Sequence, residues 1–177
     1  EAARDFAMAN SHCTVLDMFN DPAVARVHRD TTAAEILRDT VGRIDAFVAA
    51  VGTGGTLTGV GQRLKEENPS LRIVAVEPAG SPVLSQGTAG LHTIPGIGAD
   101  FPPPLLNLDI VDEIVAVTDE DANAMSLRLA REEGILAGIS SGANVVASIR
   151  TASELGQGST IVTVLADTGE RYVSFPM

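Results

Sequence analysis

The sequence predicts an α/β fold: an open, mostly parallel twisted sheet with helices on both faces. Two features point there. Stretches with apolar residues at helical spacing alternate along the chain with short runs dominated by Val and Ile. In one place a strand at 44–51, a glycine-rich turn, a helix and a second strand at 71–76 follow one another within about thirty residues, a βαβ unit. Such a unit imposes parallel strands and a right-handed crossover. At 177 residues, with 45% hydrophobic and 20% charged side chains, the chain is long enough to enclose a core.

Taken in order, residues 1–10 carry Ala2, Ala3, Phe6, Ala7 and Met8 as a weak helical face. Residues 13–19, Cys-Thr-Val-Leu-Asp-Met-Phe, read as a short strand, and Asn20-Asp21-Pro22 as a turn. Thr31 and Thr32 are expected to cap a helix through Ala33, Ala34, Ile36 and Leu37 that ends near Gly42. The apolar run 44–51 is a buried strand, and Leu57, Val60 and Leu64 continue as a helix. Asn68-Pro69-Ser70 breaks the chain before the strand at 71–76. Residues 79–108, rich in Gly and Pro, predict a long loop with a short helix around 82–86; a loop of this length in a compact domain is functional or flexible. Residues 113–117 predict a third strand. Thr118 and Asp121 form a capping box for a helix to Glu133 closed by Gly134, and the acidic run 119–121 is first-turn charge rather than a metal site. Ser140-Ser141-Gly142-Ala143 opens another helix, whose Val145, Val146 and Ile149 should face the core. A buried strand at 160–166 ends in Asp167-Thr168-Gly169-Glu170-Arg171-Tyr172.

The turn after the first long strand, Gly52-Thr53-Gly54-Gly55-Thr56, carries chemistry. Glycines let the backbone approach a ligand, the first N–H groups of the following helix lack partners, and the helix dipole favours an anion. A phosphate is expected there. The dinucleotide fingerprint needs a glycine where Leu57 stands, which weakens that reading, and a Walker loop needs a terminal Gly-Lys-Ser/Thr. Lys65, the only lysine, lies well down the helix. Thr53 and Thr56 can add hydroxyl donors, which suits a single terminal phosphate held without a metal.

Composition narrows the partners. The net charge is −11 with no Lys/Arg cluster, which argues against nucleic acid or an anionic membrane surface. The single cysteine, Cys13, excludes a disulfide framework and fits a reducing, cytoplasmic compartment. No run reaches eighteen apolar residues, so a soluble chain is expected. The chain starts at Glu1 without an initiator methionine, which leads us to expect that an earlier part was removed by processing or truncation.

Ligands of open parallel sheets bind beyond the carboxyl ends of the strands, and three small-polar segments fall at such ends or at helix starts: 52–56, 140–142 and 167–169. Together with His28-Arg29-Asp30-Thr31-Thr32, Val76-Glu77-Pro78, Gly96-Ile97-Gly98-Ala99 and the run from Glu133 to Ala143, they make the chain resemble the pyridoxal-phosphate enzymes of the cysteine synthase and cystathionine β-synthase family, fold type II. The resemblance covers nearly the whole chain. It implies the large domain of that fold at residues 20–177, with 1–19 a remnant of the smaller domain. It implies pyridoxal 5'-phosphate as cofactor, its phosphate held by Gly52, Thr53, Gly54, Gly55 and Thr56, its pyridine nitrogen hydrogen-bonded by Ser140, and Asp167 and Thr168 near the ring. Gly96, Ile97, Gly98 and Ala99 would border the substrate pocket.

The implied reaction is β-replacement on a serine derivative: O-acetylserine and sulfide give cysteine, or serine and homocysteine give cystathionine. The family is usually dimeric, so a homodimer is expected. Ser140-Ser141-Gly142-Ala143 and Gly169-Glu170-Arg171-Tyr172 lean toward cysteine synthase, and Leu16-Asp17 slightly toward the other branch. Two departures stand out. The family's Schiff-base lysine and its Ser/Thr-Gly-Asn loop have no counterpart here, so the chain resembles the latter part of a member and should be inactive alone. Met18 stands where members usually carry a glutamine that contacts the substrate carboxylate. Rival readings are a non-catalytic anion-binding α/β domain and a nucleotide-binding domain.

Overall fold

A computed structural model describes residues 2–172. Four parallel strands, β1 (Ala46–Ala50), β2 (Arg72–Pro78), β3 (Glu113–Val117) and β4 (Ile161–Thr163), form one sheet in the order β3-β2-β1-β4. The register pairs Phe47 with Ile73 and Val162, and Val76 with Val115. Helix α4 (Gly55–Glu67) connects β1 to β2. Helices α6 (Asp119–Glu132) and α7 (Ile139–Leu155) carry the chain from β3 across to β4, on the other side of β1. The winding direction therefore reverses between β1 and β4, the position at which open α/β sheets bind ligands.

Strand periodicity decides which face each side chain serves. Phe47, Ala49 and Val51, with Ile73 and Ala75, pack against Leu57, Val60 and Leu64 of α4. Val48, Val74, Val76, Val115 and Val117 pack instead with Ala122 of α6 and Ile139, Ala143, Val146 and Ala147 of α7. Each large side chain buried here contributes about 1.5–3 kcal/mol. Of the residues expected to face the core from α7, Val146 does so, with Ala143 and Ala147 beside it, whereas Val145 is only half-buried and Ile149 is 50% exposed. Among the described residues no helix is long and apolar enough to cross a membrane, and no group of three or more His, Cys, Asp or Glu is placed to hold a metal.

Ahead of β1 the structure departs from expectation. Helix α1 (Ala2–Ala9) forms, with Glu1 outside the described residues, but none of its residues is buried. Residues 13–19 run as loop and turn instead of a strand, because no neighbouring strand is there to pair with them. The expected cap at Thr31 and Thr32 is absent. Helix α2 (Ala23–Val27) runs through a π-helical segment (His28–Thr32) into α3 (Ala33–Asp39), and Thr31 Oγ1 turns back to donate to the Val27 carbonyl at 2.7 Å. The short helix α5 (Val83–Gln86) and a 3-10 turn (Leu108–Ile110) interrupt the long loop. At α6 the expected cap is half present: Thr118 Oγ1 accepts from Asp121 N at 3.1 Å, whereas the Asp121 carboxylate pairs with Arg150 at 3.0 Å. Strand β4 is shorter than the expected 160–166 and only half-buried, as befits an edge.

Helices α2 and α4 meet through glycine. A Cβ on Gly59 would lie 2.1 Å from the Ala25 carbonyl oxygen and 2.9 Å from Arg29 N, both backbone atoms that cannot rotate aside. At the same junction His28 Nε2 lies 3.1 Å from Thr56 Oγ1 and Nδ1 lies 3.0 Å from Thr32 Oγ1. Burial holds the His28 imidazole below its ordinary value of 6.5.

Two outcomes follow from this junction. Gly59→Ala forces the helices apart and lowers stability by about 2–3 kcal/mol, read as a lower urea midpoint at unchanged slope. The folded chain resists protonating His28 while the unfolded chain takes its proton near 6.5, so stability holds above that pH and falls as the pH drops below it. Urea midpoints between pH 7.5 and 5 test this, and His28→Asn should lose the slope between 6.5 and 5.

Candidate active site

A cavity of about 640 Å³ opens at the carboxyl ends of β1 and β4, at the reversal of winding. Gly52, Thr53, Gly54 and Thr56 form one end of it, and Ser140 and Asn144 of α7 line it with Val164, Ala166 and Asp167 from the segment after β4. Pro95, Gly96 and Ile97 form a lip, and Met18 and Tyr172 complete the wall.

The glycine–threonine end has the local geometry of an anion cup. Gly54 is left-handed (φ 83°), which turns the chain from strand into helix, and the ladder of α4 begins only with Thr58 N donating to the Gly54 carbonyl at 3.0 Å. The N–H groups before Thr58 have no earlier helical carbonyl and lie at the positive end of a thirteen-residue helix. Thr53 Oγ1 accepts from Gly55 N over a long 3.4 Å, and Thr56 Oγ1 is oriented by His28.

The opposite end is polar and partly unsatisfied. Ser140 is 7% exposed and Asn144 3%; Asn144 Nδ2 donates to the Val164 carbonyl at 2.7 Å, which leaves its Oδ1 buried without a partner. Asp167 accepts from the Tyr172 hydroxyl at 2.5 Å through Oδ2, while its Oδ1 is buried and unpartnered. That hydrogen bond, followed by burial, raises the Tyr172 phenol above its ordinary value. A ligand that carries both an anion and a polar ring edge meets complementary groups in this lining, so these residues fit a phosphate-bearing pyridine.

Of the residues expected from the sequence, Gly52, Thr53, Gly54, Thr56, Ser140, Asp167, Gly96 and Ile97 are brought together around this cavity. Gly55 is tucked beneath Val24, Thr168 pairs with Ala137 as an isolated bridge, and Gly98 and Ala99 line a separate small cavity behind the lip with Glu77. Asn144 also lines the cavity, and its only signal in the sequence is its place one turn beyond Ser140 on the same helix face. Lys65 is remote: it sits ten residues into α4, about 15 Å along the axis from the cup, and its Nζ pairs with Asp112 at 2.8 Å.

The chain resembles known proteins along most of its length. Residues 1–167 match the family described as pyridoxal-phosphate dependent enzymes. The chain is 55% identical over 160 residues to a cysteine synthase of Staphylococcus aureus, covering 90% of this chain and 52% of that protein. The crystal structure of a cysteine synthase from Entamoeba histolytica superposes with a TM-score of 0.93 at 38% identity, over 98% of this chain and 52% of that one. That of an O-ureido-L-serine synthase gives a TM-score of 0.94 at 41% identity, over 98% and 55%. The chain thus spans about half the length of the curated relatives it matches. With a family match along most of its length and the fold of these enzymes, the chain belongs to the pyridoxal-phosphate dependent enzymes.

Proposed function

We propose that this chain is the C-terminal portion of a β-replacement enzyme, a cysteine synthase that converts O-acetylserine and sulfide to cysteine and acetate. In the same reading it works as a homodimer in the cytoplasm, residues 20–177 belong to the larger domain, and residues 1–19 border the smaller one. The observation that carries it is the cavity itself, with an anion cup at Gly52, Thr53, Gly54 and Thr56 and a neutral hydroxyl, Ser140, at the far end. The unburied helix α1, with Phe6 62% and Met8 79% exposed, supports the domain assignment.

Pyridoxal phosphate, when bound, supplies an electron sink for bond changes at the α- and β-carbons of the amino acid. In this reading the hydroxyls of Thr53 and Thr56 and the first amides of α4 hold the phosphate. Ser140 offers the pyridine nitrogen a neutral partner, which leaves that nitrogen largely unprotonated and suits loss of a β-substituent better than deeper electron withdrawal. In this reading Gly96 and Ile97 wall the substrate side, and Met18 lines the same cavity. The lysine that binds the cofactor covalently comes from sequence outside these residues, because Lys65 is engaged with Asp112 at the far end of α4.

The 177-residue chain should therefore bind pyridoxal phosphate reversibly. It should develop no visible band of lysine-bound cofactor, gain no mass on borohydride treatment and form no cysteine. Supplying a lysine-bearing first half, such as that of the Staphylococcus aureus relative, should restore all three. Turnover by the chain alone would sink the proposal. Leu16 and Asp17 lean toward a second reading, synthesis of cystathionine, and homocysteine in place of sulfide in the reconstituted assay tests it directly.

A further inference from the structure

The lip of the cavity is an awkward piece of backbone. Gly96 (φ 83°) and Gly98 (φ 72°) are both left-handed, a conformation that local preference does not enforce, yet the turn sits hard against the cup. A Cβ on Gly52 would lie 2.5 Å from the Gly96 carbonyl oxygen, and Gly98 N donates to the Val51 carbonyl at 3.1 Å. Something outside the turn has to hold its shape.

His92 does so. Its ring spans the base of the turn: Ile94 N donates to Nδ1 at 3.3 Å, and Nε2 lies 3.2 Å from the Gly98 carbonyl. An amide N–H can only donate, so Nδ1 is the acceptor, the ring proton sits on Nε2, and that N–H donates to Gly98. The ring also packs on the Gly98 backbone, where a Cβ would meet Nε2 at 2.7 Å. The next residue anchors the segment to the fold, since Thr93 N and Oγ1 both donate to Asp119 Oδ2, at 2.6 and 2.7 Å, at the start of α6.

We propose that His92 is a positioning residue: in its neutral Nε2–H form it braces the turn at 94–98 and so sets Gly96 and Ile97 as the wall of the cavity. The proposal rests on the reading of that cavity as the cofactor and substrate site for its functional consequence, but not for the brace itself. His92→Phe keeps a ring of similar size and loses both hydrogen bonds; His92→Gln keeps a donor and an acceptor.

Amide hydrogen exchange, the thermal midpoint, and affinities for pyridoxal phosphate and for inorganic phosphate are measured on the full 177-residue chain. In His92→Phe the Ile94 and Gly98 amides should exchange about tenfold faster while β1 and β2 keep their protection. Pyridoxal phosphate should bind about fivefold more weakly, with inorganic phosphate affinity unchanged because the cup is intact. His92→Gln should recover most of both effects. Unchanged exchange at 94–98, a rise shared equally by β1 and β2, or faster exchange with undiminished pyridoxal phosphate affinity would each overturn the proposal. If the unsubstituted chain binds no pyridoxal phosphate, the proposed function fails, and the exchange data alone then decide whether His92 braces the turn.

Discussion

The end of β1 is the point on which the rest of the site depends. Val51 N donates to the Val76 carbonyl at 3.0 Å, tying the last turn of backbone to β2, while its own carbonyl accepts from Gly98 N. One residue later Gly52 has no room for a side chain against Gly96. Sheet, anion cup and cavity lip thus share a single peptide junction. Because β1 lies between β2 and β4, this junction cannot move without disturbing pairings on both sides. A strand in the middle of a parallel sheet, buried on both faces, gives a loop site the rigidity that loops alone lack.

What the sequence disclosed follows the range of the forces involved. The strand at 113–117 was legible to the residue, since its β-branched run is bounded by Asp112 and the capping Thr118. The turn at 52–56 was legible because glycine where a strand meets a helix has a local cause, and Gly54 takes the conformation only glycine adopts freely. Of the helix from Ala23 to Asp39 the part from Ala33 was legible and the part before it was not, as a π-helical segment leaves no pattern of its own and threonine caps and interior threonines look alike in sequence. Cys13 to Phe19 has the residues of a strand, but pairing is a tertiary fact. His92 and Asp119 were invisible as a pair: they are 27 positions apart in number and meet only through Thr93.

Much of the chain's acidity has a structural use. Glu77, 2% exposed, accepts from Leu84 N at 2.7 Å and Ser85 N at 3.2 Å and so starts α5. Asp112 accepts from Ile73 N at 2.7 Å and pairs with Lys65, holding β2 to the end of α4. Asp45 accepts from Thr160 N at 2.7 Å where β4 begins. In each case a carboxylate satisfies backbone N–H groups at the end of an element, which hydrogen bonds to ionised acceptors do more strongly than neutral ones.

The net charge of −11 is not spread evenly over the cavity wall. Charges beyond about 8–10 Å are largely screened at physiological ionic strength, so the local groups decide. Among the described residues Asp167 is the only carboxylate on the cavity wall, and its Oδ2 is engaged by the Tyr172 hydroxyl. The remaining polar lining is threonine, serine and asparagine, with the N-termini of α4 and α7 beside it. The field at the cup is therefore set by two helix ends and neutral donors, and the acidic surface lies where solvent can screen it. The same economy bears on the far end of the cavity. There Ser140 presents a neutral hydroxyl and Asn144 a neutral amide, while the Asp167 carboxylate accepts the Tyr172 hydroxyl through Oδ2.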